Sequence, residues 1–381
     1  LKLKTWVGIF AGVVGLATPS AVDACGGGGV VRSTQAGSIG ANAQRVFLSV
    51  HDDGVGGGPD GTDVITQIGV PDTTEDYGAL LPLPSEPTLD PVPVSALELE
   101  VLDAATAPRI TTTSAEEDSG DFNCGCPFAA AGESEAGGGG APRSGAKVSE
   151  PVNIGPVTAV VLSGTSDAVN AWLADNGFVI SAEDQAIIEE YTGYYFVAIR
   201  RNDRAAPGGP TSIGIHFTMP GDHRELPFRF ARIGAASTVA FTVFVSASEP
   251  AGPSPPFEVL TLGDLDSNIL RAGNYARAVR TAVEARGDKA FVLEARITKD
   301  ELPYDGGLIG RLVFANHTVT RMSTILPLES LTEDAHFTTP YEGDVPNERH
   351  VNNTRRLPSR EAGVGLIAAL VIAGALRRRF R

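Results

Sequence analysis

Apolar and polar positions along the chain fall into short strand-like runs, broken in three or four places by helical periodicity. The most informative stretch covers residues 157–201. Residues 157–162 (VTAVVL) are a β-branched apolar run with the composition of a buried strand. After the Ser163-Gly164-Thr165 turn, Ser166 is expected to cap a helix by accepting from a free backbone N–H of its first turn. Val169, Trp172 and Leu173 share one face of that helix. Asn176-Gly177 ends it, because glycine adopts the left-handed conformation without a Cβ clash. Ser181 caps a second helix, with Glu183 and Asp184 in a first turn where the helix dipole favours negative charge. Ile187, Ile188 and Tyr191 form its apolar stripe, Gly193 ends it, and 194–199 (YYFVAI) is an aromatic and β-branched strand. Trp172, Tyr191, Tyr194 and Phe196 are assigned to core packing, since aromatics dominate burial.

Upstream, 44–50 (QRVFLSV) and 64–70 (VITQIGV) alternate like strands around 52–63 (DDGVGGGPDGTD), which predicts a β-hairpin with an expanded loop. Residues 76–85 (DYGALLPLPS) are extended, with Pro82 and Pro84 fixing the path. Residues 95–103 (SALELEVLD) suit a short helix or a strand. The Gly-rich run within about 129–150 has no periodicity and little to bury, and reads as a linker or surface insert. Beyond it, strands are predicted at 211–219, 226–233, 237–247, 257–262 and 290–297, with a turn at Pro220-Gly221-Asp222. An amphipathic helix at 274–285 places Tyr275, Val279, Ala282 and Val283 on one side. Residues 310–315 and 323–326 complete the folded part, and 342–360 is polar and tail-like. The fold class is therefore α+β: mostly antiparallel strands with three or four helices, plus a C-terminal membrane helix.

The two ends carry targeting patterns. Lys2 and Lys4, the apolar run 6–17 and the small residues up to Ala24 form a secretion signal over 1–24, with the cut expected after Ala24. Lipidation of Cys25 is the rival reading, and Asp23 fits it poorly. At the other end, a polar spacer (346–361) leads to an uncharged segment (362–376) and a basic cytoplasmic end (377–381). The apolar segment spans roughly 22 Å against a hydrocarbon core of about 30 Å, and inserts with snorkelling flanks. Spacer, short helix and Arg run together resemble a bacterial sorting tail. The exported domain then occupies 25–345 and sits in the cell envelope, held by the C-terminal helix or released to the surface after tail processing.

Composition narrows the partners. Of 381 residues, 30 are Lys or Arg and 46 are Asp or Glu, giving a net charge of −16. That balance argues against nucleic acid, whose phosphates demand a basic surface. The excess is local: Asp52 to Asp121 holds sixteen acidic residues and one basic residue, Arg109. Asp52, Asp53, Asp60 and Asp63 are weak calcium candidates, being hard-oxygen ligands without EF-hand spacing. No other cofactor is predicted.

Three cysteines in an exported chain suggest one disulfide and one spare thiol, and three pairings among Cys25, Cys124 and Cys126 stay open. A Cys124–Cys126 bond would close a tight, easily reduced ring, whereas Cys25 paired with either would tether the mature N-terminus. The six histidines show neither a zinc-protease pattern nor zinc spacing. His216 and His223 flank a turn, a spacing that would let them meet across a hairpin, and surface or hairpin histidines are the leading reading. Glu294 is the most conspicuous carboxylate, set in an apolar strand whose alternation is expected to turn it to solvent. There is no nucleophile elbow and no phosphate-binding glycine loop.

Several local patterns follow one another in a fixed order. They are Ala24-Cys25-Gly26, Leu80-Leu81-Pro82-Leu83-Pro84-Ser85, Cys124-Gly125-Cys126, Trp172-Leu173 with Asn176-Gly177-Phe178, Tyr195-Phe196-Val197-Ala198, Asn274-Tyr275, and Phe291-Val292-Leu293-Glu294. Arg321-Met322 and Leu331-Thr332-Glu333-Asp334-Ala335-His336-Phe337 close the series. Over about 25–337 the chain resembles an uncharacterised bacterial family, domain of unknown function 2330. The expanded Gly/Asp loop and the Gly-rich insert depart from it. The resemblance implies no activity. A non-catalytic envelope ectodomain that binds an unidentified envelope partner is the leading expectation. The alternative is an envelope enzyme using a Cys124/Cys126 thiol–disulfide pair or a bound metal.

Overall fold

The computed structural model describes residues 29–32, 43–51, 60–69, 77–113, 145–178, 180–201, 212–234, 237–302, 306–343 and 347–352. Within them the chain is α+β, with mostly antiparallel strands and six helices. The helices are α1 (Ala96–Thr106), α2 (Ser166–Asp175), α3 (Ala182–Glu190), α4 (Ser267–Arg271), α5 (Tyr275–Glu284) and α6 (Leu308–Leu312). None is long and apolar enough to cross a membrane. The signal segment, the three cysteines and the apolar segment 362–376 lie outside the described residues.

Two sheets stack with helices outside each. The larger has eight strands, in the order Glu258–Thr261, Ala290–Thr298, Thr318–Pro327, Thr238–Ala247, Ala43–His51, Gly61–Gly69, Ser212–Pro220 and Thr88–Leu89. Two of its pairings are parallel: 43–51 with 238–247, and 258–261 with 290–298. The smaller has six strands, with Tyr77–Leu83, Tyr195–Arg201 and Val157–Ser163 at its centre. The predicted hairpin is there, pairing Val46–His51 with Gly61–Thr66. Strands from both sides of the Gly-rich insert share each sheet.

Period-two alternation assigns each strand's two faces to different layers. Val46, Leu48 and Val64 face the smaller sheet and pack with its Leu81, Leu83, Val197 and Ile199. Their neighbours Phe47 and Ile65 point the other way, into a cluster with Leu99 and Leu102 of α1 and Ile309 of α6. Leu80, Phe196 and Ala198 turn outward to Trp172 and Leu173 of α2 and Ile187 and Ile188 of α3. The order of layers is helices, sheet, sheet, helices.

The helix caps follow local chemistry, with one correction. Thr165, not Ser166, is the N-cap of α2, and its hydroxyl accepts from the Ala168 N–H. Ser166 has moved one place inward and opens the helix. Gly177 follows that helix at φ +82°, the left-handed geometry that ends it. Ser181 and Asp184 form a reciprocal capping box on α3. Residues 95–103 resolve to a helix, because Ser95 caps α1 and Leu99 and Leu102 fall on one buried face. The strand expected at 226–233 is instead a two-residue strand, Glu225–Leu226, followed by the 3₁₀ turn Phe230–Arg232. Both Phe228 and Phe230 are buried there, which a strand's alternation also predicts and a turn satisfies locally. The tail is partly folded: Glu348–Asn352 pairs in parallel with Arg109–Thr113, Val351 is buried, and Arg349 donates to the carbonyl of Leu265.

Glu294 does not face solvent. The pairing of 290–298 with 318–327 slips between Leu293 and Ala295, so Glu294 is the extra residue of a bulge. Alternation offers it no solvent in any case, because this strand is covered on both faces and residues 290–295 are all buried. Glu294 is fully buried; it accepts from Tyr275 at 2.5 Å, Arg321 Nε at 2.5 Å and Ser323 at 2.8 Å. Arg321 continues to Asp103 of α1, both carboxylate and carbonyl, at 2.7 Å. Asp103 also pairs with Arg45 at 3.0 Å, and Arg45 donates to Gln67, which donates to Ser212. One polar chain thus runs from α5 across five strands to the 212–220 strand. Replacing Glu294 by alanine leaves the Arg321 guanidinium buried beside a single carboxylate. Urea unfolding is expected to show a loss of about 3–5 kcal/mol, where an exposed strand carboxylate would cost within ~0.5 kcal/mol.

Candidate functional site

The two sheets do not close completely on one another. A cavity of about 40 Å³ remains between them. One ordered water needs roughly 10–15 Å³, so the space suits about three waters or a short aliphatic group. Its larger-sheet wall consists of alternate residues, Val46 and Leu48, Val64 and Thr66, Phe217 and Met219. Its smaller-sheet wall is Leu81, Pro82, Leu83 and Pro84, the core of the Leu-Pro stretch. The prolines carry no N–H and hold this segment extended.

One end of the cavity is polar. Tyr191, at the C-cap of α3, donates to Asp334 at 2.7 Å, and Tyr194 donates to Glu225 at 3.3 Å. Asp334 also accepts from the backbone N–H of Arg229 at 3.0 Å and from its guanidinium at 2.7 Å. The guanidinium lies 5.0 Å over the Tyr191 ring and reaches Glu190 at 2.8 Å. Burial, then the neighbouring Asp334 charge, pushes the Tyr191 phenol well above its ordinary range. Burial and Glu225 push Tyr194 up to about 12. Hydrogen bonds to Asp334 raise Arg229 further above its already high value. Both tyrosines therefore stay protonated donors at neutral pH, and Arg229 stays charged.

Thr66 is the exception in the apolar wall. It is 2% exposed, its Oγ1 is fully buried, and that hydroxyl has no hydrogen-bond partner. Buried hydroxyls are normally paired.

A second polar cluster sits further along the same strands. Asp63 lies between two histidines, with His51 Nε2 at 2.5 Å from one oxygen and His216 Nε2 at 2.7 Å from the other. Thr218 donates to it at 2.6 Å, and Asp90 lies 3.1 Å from His216 Nδ1. Burial alone would raise the Asp63 carboxyl, but hydrogen bonds from His216 and Thr218 and the histidine charges outweigh it, and the net shift is downward. Burial would lower His216, yet its bonds to Asp63 and Asp90 carry it upward. Asp90 belongs to a strap, residues 84–95, that carries the edge strand Thr88–Leu89 and runs antiparallel beside 212–220. The strap is pinned again where Val94 pairs with Gly214, a close approach that glycine permits, because a Cβ there would come within 2.8 Å of Val94.

The sequence-derived candidates distribute unevenly. Asp63 is in the histidine cluster, its oxygens already engaged, while Asp60 is exposed at the strand start. Asp52, Asp53, Ala24, Cys25, Cys124 and Cys126 lie outside the described residues. His216 and His223 do not meet. Alternation points His216 to Asp63, and His223 lies 3.0 Å from Ser85 and 2.8 Å from the Pro220 carbonyl. Among the described residues no group of three or more His, Cys, Asp and Glu is arranged to hold a metal ion. Trp172, Tyr191 and Phe196 are buried as expected, while Tyr194 is half-buried; Tyr191 and Tyr194 also line the cavity. Sequence reasoning did not single out Thr66, and it met Asp334 only within the 331–337 motif. The signal for Thr66 was its parity with Val64, which places a hydroxyl on an inward face.

The family model described as "Uncharacterized protein conserved in bacteria (DUF2330)" matches residues 22–254, and the chain belongs to that family. The match stops short of the 25–337 over which the motifs were read. No curated protein and no solved structure matches the chain.

Thr66→Val keeps the side chain's shape and removes the unpaired hydroxyl, and a gain of about 1–2 kcal/mol in urea unfolding is expected. His216 supplies a pH test. Its folded pKa is raised, so its stabilisation is complete below the ordinary value of about 6.5 and is lost as pH rises through the folded value. The Asp63 pKa is lowered, so its share is present above about 3.9 and is lost as pH falls through the folded value. The stability gap between the wild type and His216→Gln is therefore expected to be wide at pH 5.5–6 and to narrow steadily towards pH 9.

Proposed function

We propose that this DUF2330 member is an exported envelope protein that acts by binding, with the cavity between its sheets as the recognition site. The observation that carries this reading is the cavity's make-up: apolar walls from both sheets and a few placed polar groups at one end. That is the general character of small-ligand sites. Its tyrosines are held neutral with their O–H groups given to carboxylates, which leaves their oxygens to accept from a guest and does not suit moving protons. Export and anchoring rest on the chain's two ends, the signal pattern before Cys25 and the apolar segment followed by arginines.

The intact mass of the protein purified from its own cell envelope, recorded native and denatured, tests the whole reading. A chain beginning at Cys25, with one disulfide, no metal, and a small organic adduct lost on denaturation is expected. A chain still carrying residues 1–24 would overturn export. Retained metal, or a Cys124–Cys126 bond that reduces readily, would replace binding by the enzyme alternative.

A further inference from the structure

The geometry points to a guest of one chemical class: a primary alkylammonium, with its short chain between the sheets and its head on Glu225. This deepens the binding reading above and rests on it. Open hydrogen-bonding capacity at the polar end decides the head group. Asp334 is closed. Its Oδ1 accepts from Tyr191 at 2.7 Å and from the Arg229 backbone N–H at 3.0 Å. Its Oδ2 accepts from Nε of Arg229 at 3.2 Å and from Nη2 at 2.7 Å, and the same guanidinium balances its charge. The remaining arm of Arg229 is held by Glu190. Tyr191 is 1% exposed and has given its O–H away.

Glu225 is open. It lines the cavity, and its side chain keeps 23% of its surface. Its Oε1 accepts from Tyr194 at 3.3 Å, and its Oε2 meets the His336 ring at 3.4 Å, past the usual range of a hydrogen bond. Among the described residues no Lys or Arg pairs with it. A carboxylate has about four lone-pair sites, so most of these stay free. Half-buried Tyr194 also lines the cavity and, with its O–H spent on Glu225, offers only its oxygen. The open side chains at this end are therefore acceptors, and they carry negative charge without a counter-ion. Their complement is a cation that only donates, which describes an ammonium. The walls around Val46, Leu48, Leu81 and Leu83 meet the rest of the guest as hydrocarbon, since the Thr66 hydroxyl is itself fully buried. The volume of about 40 Å³ limits that chain to a few carbons. A free short amine and the lysine side chain of a partner present this same chemistry.

The test uses the purified protein with its Ile, Leu, Val and Met methyls labelled for NMR. It is titrated separately with butylammonium chloride, 1-butanol, sodium butyrate and lysine blocked as Nα-acetyl N-methylamide. Saturable shifts at Val46, Leu83 and Met219 are expected with butylammonium, weaker ones with 1-butanol, and none with butyrate. Glu225→Gln is expected to weaken butylammonium roughly ten- to a hundredfold, the worth of a hydrogen bond to a charged group, while leaving 1-butanol unchanged. His336→Lys sets a competing ammonium beside Glu225 from an exposed position, and the same selective loss is expected. Blocked lysine that binds like butylammonium supports the class with a partner's side chain as its source. Blocked lysine that fails where butylammonium binds supports it with a free amine as the source. If 1-butanol or butyrate matches butylammonium, or Glu225→Gln leaves butylammonium unaltered, the assigned class is wrong although the cavity binds. If no probe shifts the cavity methyls, the binding reading of the cavity falls as well.

Discussion

Arg321 is the constraint around which the larger sheet is arranged. A guanidinium buried in a protein interior is tolerated only where its charge and its N–H groups are met from several sides. Here they are met by Glu294 from the neighbouring strand and by Asp103 from α1. Each of those acids is shared again, with Tyr275 of α5 and with Arg45 of the 43–51 strand. The network therefore fixes helix to strand and strand to strand at once. Nonspecific hydrocarbon packing can slide by a residue, but a buried ion pair with satisfied hydrogen bonds cannot. The bulge at Glu294 lies at the same point, where the register passes from Leu293 opposite Met322 to Ala295 opposite Arg321.

With one face of the sheet fixed, the opposite face becomes the rigid wall of the cavity. Its residues are the alternates of those under α1: Val46 and Leu48 beside Phe47, Val64 and Thr66 beside Ile65. The smaller sheet presents a segment stiffened by Pro82 and Pro84, which meets that wall without filling it. Rigid walls on both sides explain why a small void persists where softer layers would collapse. The hydrogen-bonded group of Tyr191, Asp334 and Arg229 ties the far end of α3 to the 3₁₀ turn after Glu225–Leu226, and so holds the polar end open in one geometry.

Much of the architecture was legible in the sequence. The 157–201 unit appeared as strand, helix, helix and strand because each element carried its own period and its own cap or stop. The hairpin over 43–69 was legible for the same reason. The failures have separate causes: Ser166 is displaced by one residue from the cap, the 226–233 run is a turn that buries Phe228 and Phe230 at a strand's spacing, and Glu294 lies in a strand covered on both faces. The cavity was less legible than the fold. Tyr191 looked like core and is core, and only three-dimensional placement shows its hydroxyl at Asp334, 143 positions away. His216 was set beside His223 by nearness in sequence, whereas its partners come from Asp63 and Asp90 in other elements.

The parallel pairing of Ala43–His51 with Thr238–Ala247 has a consequence for the order in which the molecule is made. A ribosome delivers the first hairpin long before the strand that must lie along its open edge. Until then that edge shows unpaired backbone groups and an apolar face, the conditions under which strands pair with the wrong chain. The fold can lock only when the segment bearing Arg321 has emerged, so its assembly is dominated by late, distant contacts and is intrinsically slow. A chain of this topology depends on being held apart from its neighbours while it waits. Acidic segments along its first third give unfinished copies like charge, which makes them repel one another.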